Sequence, residues 1–126
     1  MTDTQSETSD EKKARGTALA RRLFKGAGAG GTQLPQALAD YTMAHVFGDV
    51  WHQDDLALEE RSLVTCAMLV ALNREAEQRL HFVAARNLGI PRSRIEGVIT
   101  QAAHYAGWPC AVSAVRVLNE VWPAAE

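Results

Sequence analysis

A cation, a carboxylate and an imidazole stand close together in the segment 74–81. Glu77 and His81 are four residues apart and Arg74 precedes Glu77 by three, so on a helix their side chains share one face. Such a group can hold an anionic substrate and move a proton without a metal or a cofactor. The alternative interpretation is an ordinary surface helix, because charged pairs at this spacing are common where a helix meets solvent.

Pairing with Glu77 is expected to favour the charged imidazolium of His81, which leaves both acid and base roles open. A second set of candidates surrounds the helix breaks, where glycines, histidines and aromatic residues occur together and pockets commonly form. These candidates for substrate binding are His45, Trp51, His52, Tyr105 and Trp108. Each of them alone is also compatible with a purely structural role.

A metal site is a rival interpretation, since Glu77 with His81 and His45 with Asp49 both have the spacing of helical ligand pairs. A third well-placed ligand is missing, so the sequence predicts no metal. The two cysteines, at 66 and 110, are too few for a disulfide framework and lie in apolar helical patterns.

The composition excludes several classes of function. A chain of 126 residues with 47% hydrophobic side chains and a net charge of -2 fits one globular domain and gives no basic surface for nucleic acid. The longest apolar run, residues 66–72, is far shorter than the roughly 20 residues that cross a bilayer. The first ten residues lack the basic start and apolar centre of a secretory signal, so we expect a soluble, cytoplasmic protein.

Hydrophobic periodicity predicts an all-α domain of about six helices at residues 11–126, preceded by a disordered tail at 1–10. The helices are expected at 11–25, 34–47, 58–72, 74–87, from Pro91 to a stop at Gly107, and from Trp108 onward, with Asn73 as the N-cap of the fourth. The third helix is apolar nearly all round, which indicates a subunit contact in addition to the core.

Several ordered segments resemble the carboxymuconolactone decarboxylase family. They are His45-Val46-Phe47-Gly48-Asp49-Val50-Trp51, the run 60–75, Leu80-His81, Gly89, Ile95-x-x-Val98-Ile99-x-Gln101, the run 105–111, and Gly16 with Arg21-Arg22. The resemblance covers nearly everything after residue 15. It implies an all-helical subunit, similar to alkyl hydroperoxidase D, that assembles as a trimer or hexamer.

The resemblance also separates two branches of chemistry. In the peroxidase-like branch a Cys-x-x-Cys-x-x-x-His segment ends at the matching histidine, but here the two cysteine positions hold Arg74 and Glu77, and Ser62 stands where a relay glutamate is expected. Dithiol peroxide chemistry through that motif is therefore excluded. The decarboxylase branch has Arg-Glu, then glutamate and histidine, as this chain does.

For that branch the resemblance implies a cofactor-free decarboxylase that converts 4-carboxymuconolactone, a small anionic lactone, to the enol-lactone of 3-oxoadipate in protocatechuate breakdown. His81, held by Glu77, would be the proton donor or oxyanion partner, and Arg74 with Arg21 or Arg22 would anchor carboxylates. One departure stands out, because the family's Trp-x-Arg-Pro-Gly-Leu is replaced by Trp51-His52-Gln53-Asp54-Asp55-Leu56. An isomerase or ring-modifying enzyme of secondary metabolism, or a non-catalytic oligomeric binding module, remains an alternative.

Overall fold

The computed structural model describes residues 7–28 and 32–125. These residues form six α-helices and no strand, and the expected all-α fold is confirmed. The helices are α1 (Ser9–Phe24), α2 (Gln36–Tyr41), α3 (Leu58–Ala71), α4 (Glu75–Asn87), α5 (Arg92–Ala106) and α6 (Trp108–Val121). A π-helical segment, Thr42–Phe47, follows α2, and a 3-10 turn, Val50–His52, precedes α3.

The expected helix boundaries needed correction in the first half of the chain. Helix α1 begins at Ser9, within the segment expected to be disordered, while residues 1–6 of that segment lie outside the described residues. Helix α2 begins after Pro35, because proline fixes its own φ and has no N–H to donate. The helix expected at 34–47 changes at Thr42 from α to the wider π form.

One compact unit contains the described residues of 7–21 and 32–55. Here α1 and the π-helical segment approach until their backbones touch, because Gly16 has no side chain to separate them. A Cβ at Gly16 would lie 1.7 Å from the carbonyl oxygen of Met43. Ion pairs flank this contact, with the Lys13 Nζ 2.7 Å from the Asp40 carboxylate and the Lys12 Nζ 3.4 Å from Asp49.

A second compact unit contains the described residues of 22–28 and 56–125, and its core lies among α3 to α6. The buried positions of this core include Cys66, Val70, Phe82, Ile95, Ile99, Ala114 and Leu118. Helix α3 buries one stripe, at residues 62, 66 and 70, and exposes another, at 64 and 68, which the C-cap residue 72 continues. Helix α3 therefore has two apolar faces, an inner face that packs in the core and an outer face that is exposed to solvent.

The Glu60 side chain fixes the start of α3 by accepting a hydrogen bond of 2.8 Å from the backbone N–H of Ala57. This start agrees with the helix expected from Leu58. Across residues 7–28 and 32–125, none of the helices combines the length and apolarity that crossing a membrane requires.

The glycine contact yields a prediction with an internal control. Gly16→Ala should lower the free energy of unfolding by about 3 kcal/mol, since the new methyl group meets backbone oxygen that cannot rotate away. Gly97→Ala, also within a helix, should instead stabilise by about 0.5–1 kcal/mol, since no atom lies within 4 Å of its added Cβ. Urea unfolding of both variants measures the difference. Equal effects would contradict the proposed backbone contact.

Candidate functional site

The tight turn between α3 and α4 presents Arg74 and Glu77. Asn73 adopts a left-handed backbone conformation with φ of 56°, and the backbone N–H of Arg74 donates to the carbonyl of Leu69 at 2.9 Å. Asn73 therefore ends α3, a role that asparagine tolerates well. The prediction that it caps α4 is wrong, because Arg74 is the N-cap residue.

Buried Gln78 ties this turn to α3. Its side chain is fully buried, and its Nε2 donates to the carbonyl of Leu69 at 3.0 Å. The same carbonyl accepts the Arg74 N–H, so one oxygen of α3 holds both the turn and the first turn of α4. This arrangement fixes where α4 begins and hence where its charged residues project.

Arg74 and Glu77 form an ion pair on the exposed side of α4, with 3.1 Å between the guanidinium Nη2 and the carboxylate. The hydrogen bond from Arg74 lowers the pKa of Glu77 below its usual value. Glu77 is therefore ionised at neutral pH. The sequence expectation that this cation and carboxylate meet is confirmed.

His81 lies one turn further along α4 and is largely withdrawn from water. The ring of Phe24, at the end of α1, stands edge-on to the imidazole with 5.2 Å between ring centroids and 88° between ring planes. Burial lowers the pKa of His81 to about 4, although the Glu77 carboxylate opposes the effect. Glu77 does favour the charged imidazole, as expected, but the loss of hydration outweighs this attraction and leaves His81 neutral at pH 7.

Beneath His81, helix α3 contributes a thiol that has no catalytic character. The Cys66 Sγ donates to the backbone carbonyl of His81 at 3.6 Å. Burial raises the pKa of the Cys66 thiol to about 12, with neighbouring Ser62 opposing the shift. Cys66 therefore stays protonated at neutral pH, and Ser62, fully buried, lies in the same inner stripe of α3.

Three further candidates belong to the first unit. His45 is exposed on the π-helical segment and lines a cavity of about 340 Å³ together with Lys12, Tyr41 and Asp49. Trp51 is buried and its ring lies 5.7 Å from that of Phe47. His52 is exposed to solvent as a whole residue. The partial burial of its ring lowers its pKa, and the positive charge of Arg15 lowers it further.

Tyr105 and Trp108 are strongly exposed in the second unit, by 85% and 62%. Tyr105 lines an apolar cavity of about 500 Å³ between α3 and α5, whereas Trp108 lines a separate one of about 180 Å³ between α5 and α6. The His104 ring stands edge-on to Trp108 at 5.5 Å. Tyr105 and Trp108, both candidates for substrate binding, therefore line different cavities.

The two candidate arginines of α1, Arg21 and Arg22, are both solvent-exposed. Arg21 belongs to the first unit and Arg22 to the second, which also contains His81. In residues 7–28 and 32–125, no three side chains of the His, Cys, Asp or Glu type are grouped so that they could hold a metal ion. Of the site residues predicted from the sequence, the structure brings Arg74, Glu77 and His81 together.

Phe24 is the contact of His81 that sequence reasoning missed. The two residues are 57 positions apart, and an aromatic residue near a helix end is an ordinary core residue in any single sequence. Only the packing of α1 against α4 reveals it.

The sequence profile of the carboxymuconolactone decarboxylase family matches residues 36–120. A curated 4-carboxymuconolactone decarboxylase from Acinetobacter baylyi is 34% identical over 87 residues, or 69% of this chain and 65% of the relative. The nitrosuccinic acid decarboxylase npaB from Metarhizium robertsii is 30% identical over 74 residues, or 59% of this chain and 52% of the relative. The match thus spans less than two thirds of either relative's length.

The lowered pKa of His81 predicts a pH-dependent stability. The unfolded chain binds a proton on this imidazole below pH 6.5, whereas the folded protein does so only below about 4. The stabilisation is therefore complete above pH 6.5 and is lost as the pH falls to about 4, an effect of about 3 kcal/mol. Urea unfolding of the wild type and of His81→Leu between pH 7 and 4 isolates this contribution. Parallel pH profiles for the two proteins would contradict it.

Proposed function

The chain belongs to the carboxymuconolactone decarboxylase family, and from this premise we propose that it is a carboxy-lyase that releases carbon dioxide from a small carboxylated substrate. The specific reaction we propose is the conversion of 4-carboxymuconolactone to the enol-lactone of 3-oxoadipate, as in protocatechuate breakdown. The names of both curated relatives support the general reaction, since each is a decarboxylase and their substrates differ.

The proposed reaction sets three chemical requirements. As the carboxylate leaves as carbon dioxide, the electrons of the broken C–C bond pass into the butenolide ring and form an oxyfuran-like dienolate, which then takes one proton from water on carbon. The ring itself accepts the electrons, so the chemistry needs no cofactor. The protein has to hold the carboxylates with cations, stabilise negative charge on the lactone oxygen, and allow one proton to reach carbon.

The observation that carries the proposal is a neutral, half-buried imidazole beside an ionised carboxylate on one face of α4. Because His81 is neutral at pH 7, we assign it the role of hydrogen-bond donor to the lactone oxygen rather than that of resting acid. A neutral imidazole can stabilise a developing oxyanion in this way. Glu77 then stabilises the partial positive charge that the imidazole acquires as the oxyanion forms.

Arg74 supplies the cation for a substrate carboxylate. Its guanidinium is exposed and already lies at the edge of the site through its pair with Glu77. An arriving carboxylate can share this guanidinium, because its several N–H donors allow it to bind more than one acceptor. Arg22 and Arg21 remain candidates for the second carboxylate.

The altered segment after Trp51 does not oppose an anionic substrate. Asp54 and Asp55 are both exposed, so water screens their charges. His52, also exposed, is the candidate to replace the arginine that related decarboxylases have in this segment.

We propose further that the chain assembles as a homo-oligomer, a trimer or hexamer, through the outer face of α3. Val64, Met68 and Leu72 recur every four residues along this face, and Met68 and Leu72 are 59% and 70% exposed. An apolar stripe of this kind is unfavourable in water and is commonly covered by another subunit.

Light scattering should therefore show an oligomer for the wild type, and Met68→Glu should shift it to monomer, since burying the new charge is unfavourable. The control is Ser93→Glu, which adds the same charge at an exposed polar position of α5. A monomeric wild type, or an unchanged oligomer in Met68→Glu, would contradict assembly through this face.

The function is tested by following carbon dioxide release from 4-carboxymuconolactone and from nitrosuccinate. We expect release from the lactone. Release only from nitrosuccinate would retain the reaction class and overturn the substrate, whereas consumption of the lactone without carbon dioxide would indicate an isomerase.

Two variants of His81 separate its possible roles. His81→Ala should lower kcat about 10²–10³-fold, as expected when an oxyanion donor is lost. His81→Gln retains a neutral N–H donor and should stay within about tenfold of the wild type. Equal losses in both variants would mean that His81 transfers the proton itself, and near-normal turnover in His81→Ala would exclude either role.

A further inference from the structure

The end of α1 is fastened to α4 by one side chain. The Asn87 Nδ2 donates to the carbonyl oxygens of Leu23 and Lys25, each at 2.8 Å. Carbonyl groups at the end of a helix lack partners within the helix. Asn87 supplies donors to this end, and Leu23, fully buried, anchors the same turn from its side chain.

Phe24 lies between the two carbonyl groups that Asn87 holds. Its ring is the group of α1 that stands edge-on to the His81 imidazole, with 5.2 Å between centroids. The chain turns away immediately afterwards, since Gly26 has a φ of 78° and the Ala27 N–H donates to the carbonyl of Phe24 at 3.0 Å. The position of the Phe24 ring therefore depends on the backbone turn at residues 23–25, whose carbonyl groups before and after Phe24 are both bound by Asn87.

We propose that Asn87 is a positioning residue for the proposed decarboxylation: by fixing the carbonyls of Leu23 and Lys25, it holds the Phe24 ring against His81 and keeps water from the imidazole. Asn87 does not touch the reacting atoms. The effect of Asn87 on turnover rests on the proposed function. Its effect on the pKa of His81 does not.

Burial, to which the Phe24 ring contributes, is the larger influence on the pKa of His81, and the charged group that opposes it is Glu77. Helix α4 contributes the Glu77 carboxylate, which favours the imidazolium. Helix α3 contributes the Cys66 thiol, which is neutral. The charged neighbours of Phe24 on the α1 side, Arg22 and Lys25, are both exposed. When water reaches the ring, the opposing influence of burial falls and Glu77 prevails.

The test is an NMR titration of the His81 imidazole, assigned by comparison with His81→Gln. In Asn87→Ala we expect its pKa to rise from about 4 towards 6.5, and Phe24→Ala should have the same effect. The double variant should titrate like Phe24→Ala alone, because Asn87 acts through the ring. The control is Asn119→Ala, which removes an amide that accepts from Arg92 and should leave the titration unchanged.

A pKa that stays near 4 in Asn87→Ala, or additive shifts in the double variant, would overturn the proposal. If Asn87→Ala fails to fold, Asn87→Ser removes the same amide with a smaller loss of volume and carries the same expectation. The titration needs no substrate, so it decides the proposal even if no carbon dioxide is released.

If carbon dioxide is released, the pH profile gives a second readout that a merely structural role would not alter. Asn87→Ala should match the wild type within about threefold at pH 8, where the imidazole is neutral in both proteins. At pH 5.5 the rates of the two proteins should differ about tenfold, because His81 is then mostly protonated in Asn87→Ala and mostly neutral in the wild type. An equal loss at both pH values would assign Asn87 to stability alone.

Discussion

The removal of water from the His81 imidazole is the constraint on which the proposed chemistry depends. The loss of hydration makes this ring neutral even though an ionised glutamate lies nearby on the same helix. Burial lowers the pKa of His81 and the charge of Glu77 raises it, and the effect of burial is the larger. The consequence is a hydrogen-bond donor that is ready at neutral pH and needs no prior loss of a proton. The residues packed around the His81 imidazole matter because they keep it buried.

Both α1 and α3 contribute contacts to this arrangement. Helix α3 lies beneath, where Cys66 donates to the His81 carbonyl and Gln78 ties the start of α4 to Leu69. Helix α1 covers the imidazole with Phe24. Exposed Arg74 and half-buried Glu77 remain accessible because the turn at Asn73 ends α3 and directs the first turn of α4 towards solvent. Interior contacts therefore fix the imidazole, and the solvent-facing turn offers the cation to a ligand.

Periodicity and spacing predicted the helices and the charged face of α4 well, because both depend on local sequence. The Arg74–Glu77 pair follows from a separation of three residues. The protonation state of His81 did not follow, because burial in the folded chain outweighs the charge of Glu77 four residues away, and one of the contacts that bury the ring, Phe24, is 57 residues away. Asn73 was misassigned for a related reason, since asparagine suits both a helix start and a left-handed helix end, and only the backbone distinguishes them. The change to a π-helix at Thr42 has no signal in hydrophobic spacing.

Burial protects the sulfur atom beneath His81 from chemical modification. With its pKa raised to about 12, the Cys66 thiol is ionised in roughly one molecule in 10⁵ at pH 7. Oxidants and alkylating agents attack the thiolate, so this position is effectively silent towards peroxide. Helix α3 thus encloses this cysteine as a packing side chain. Oxidative stress therefore leaves the support of the imidazole unmodified at Cys66.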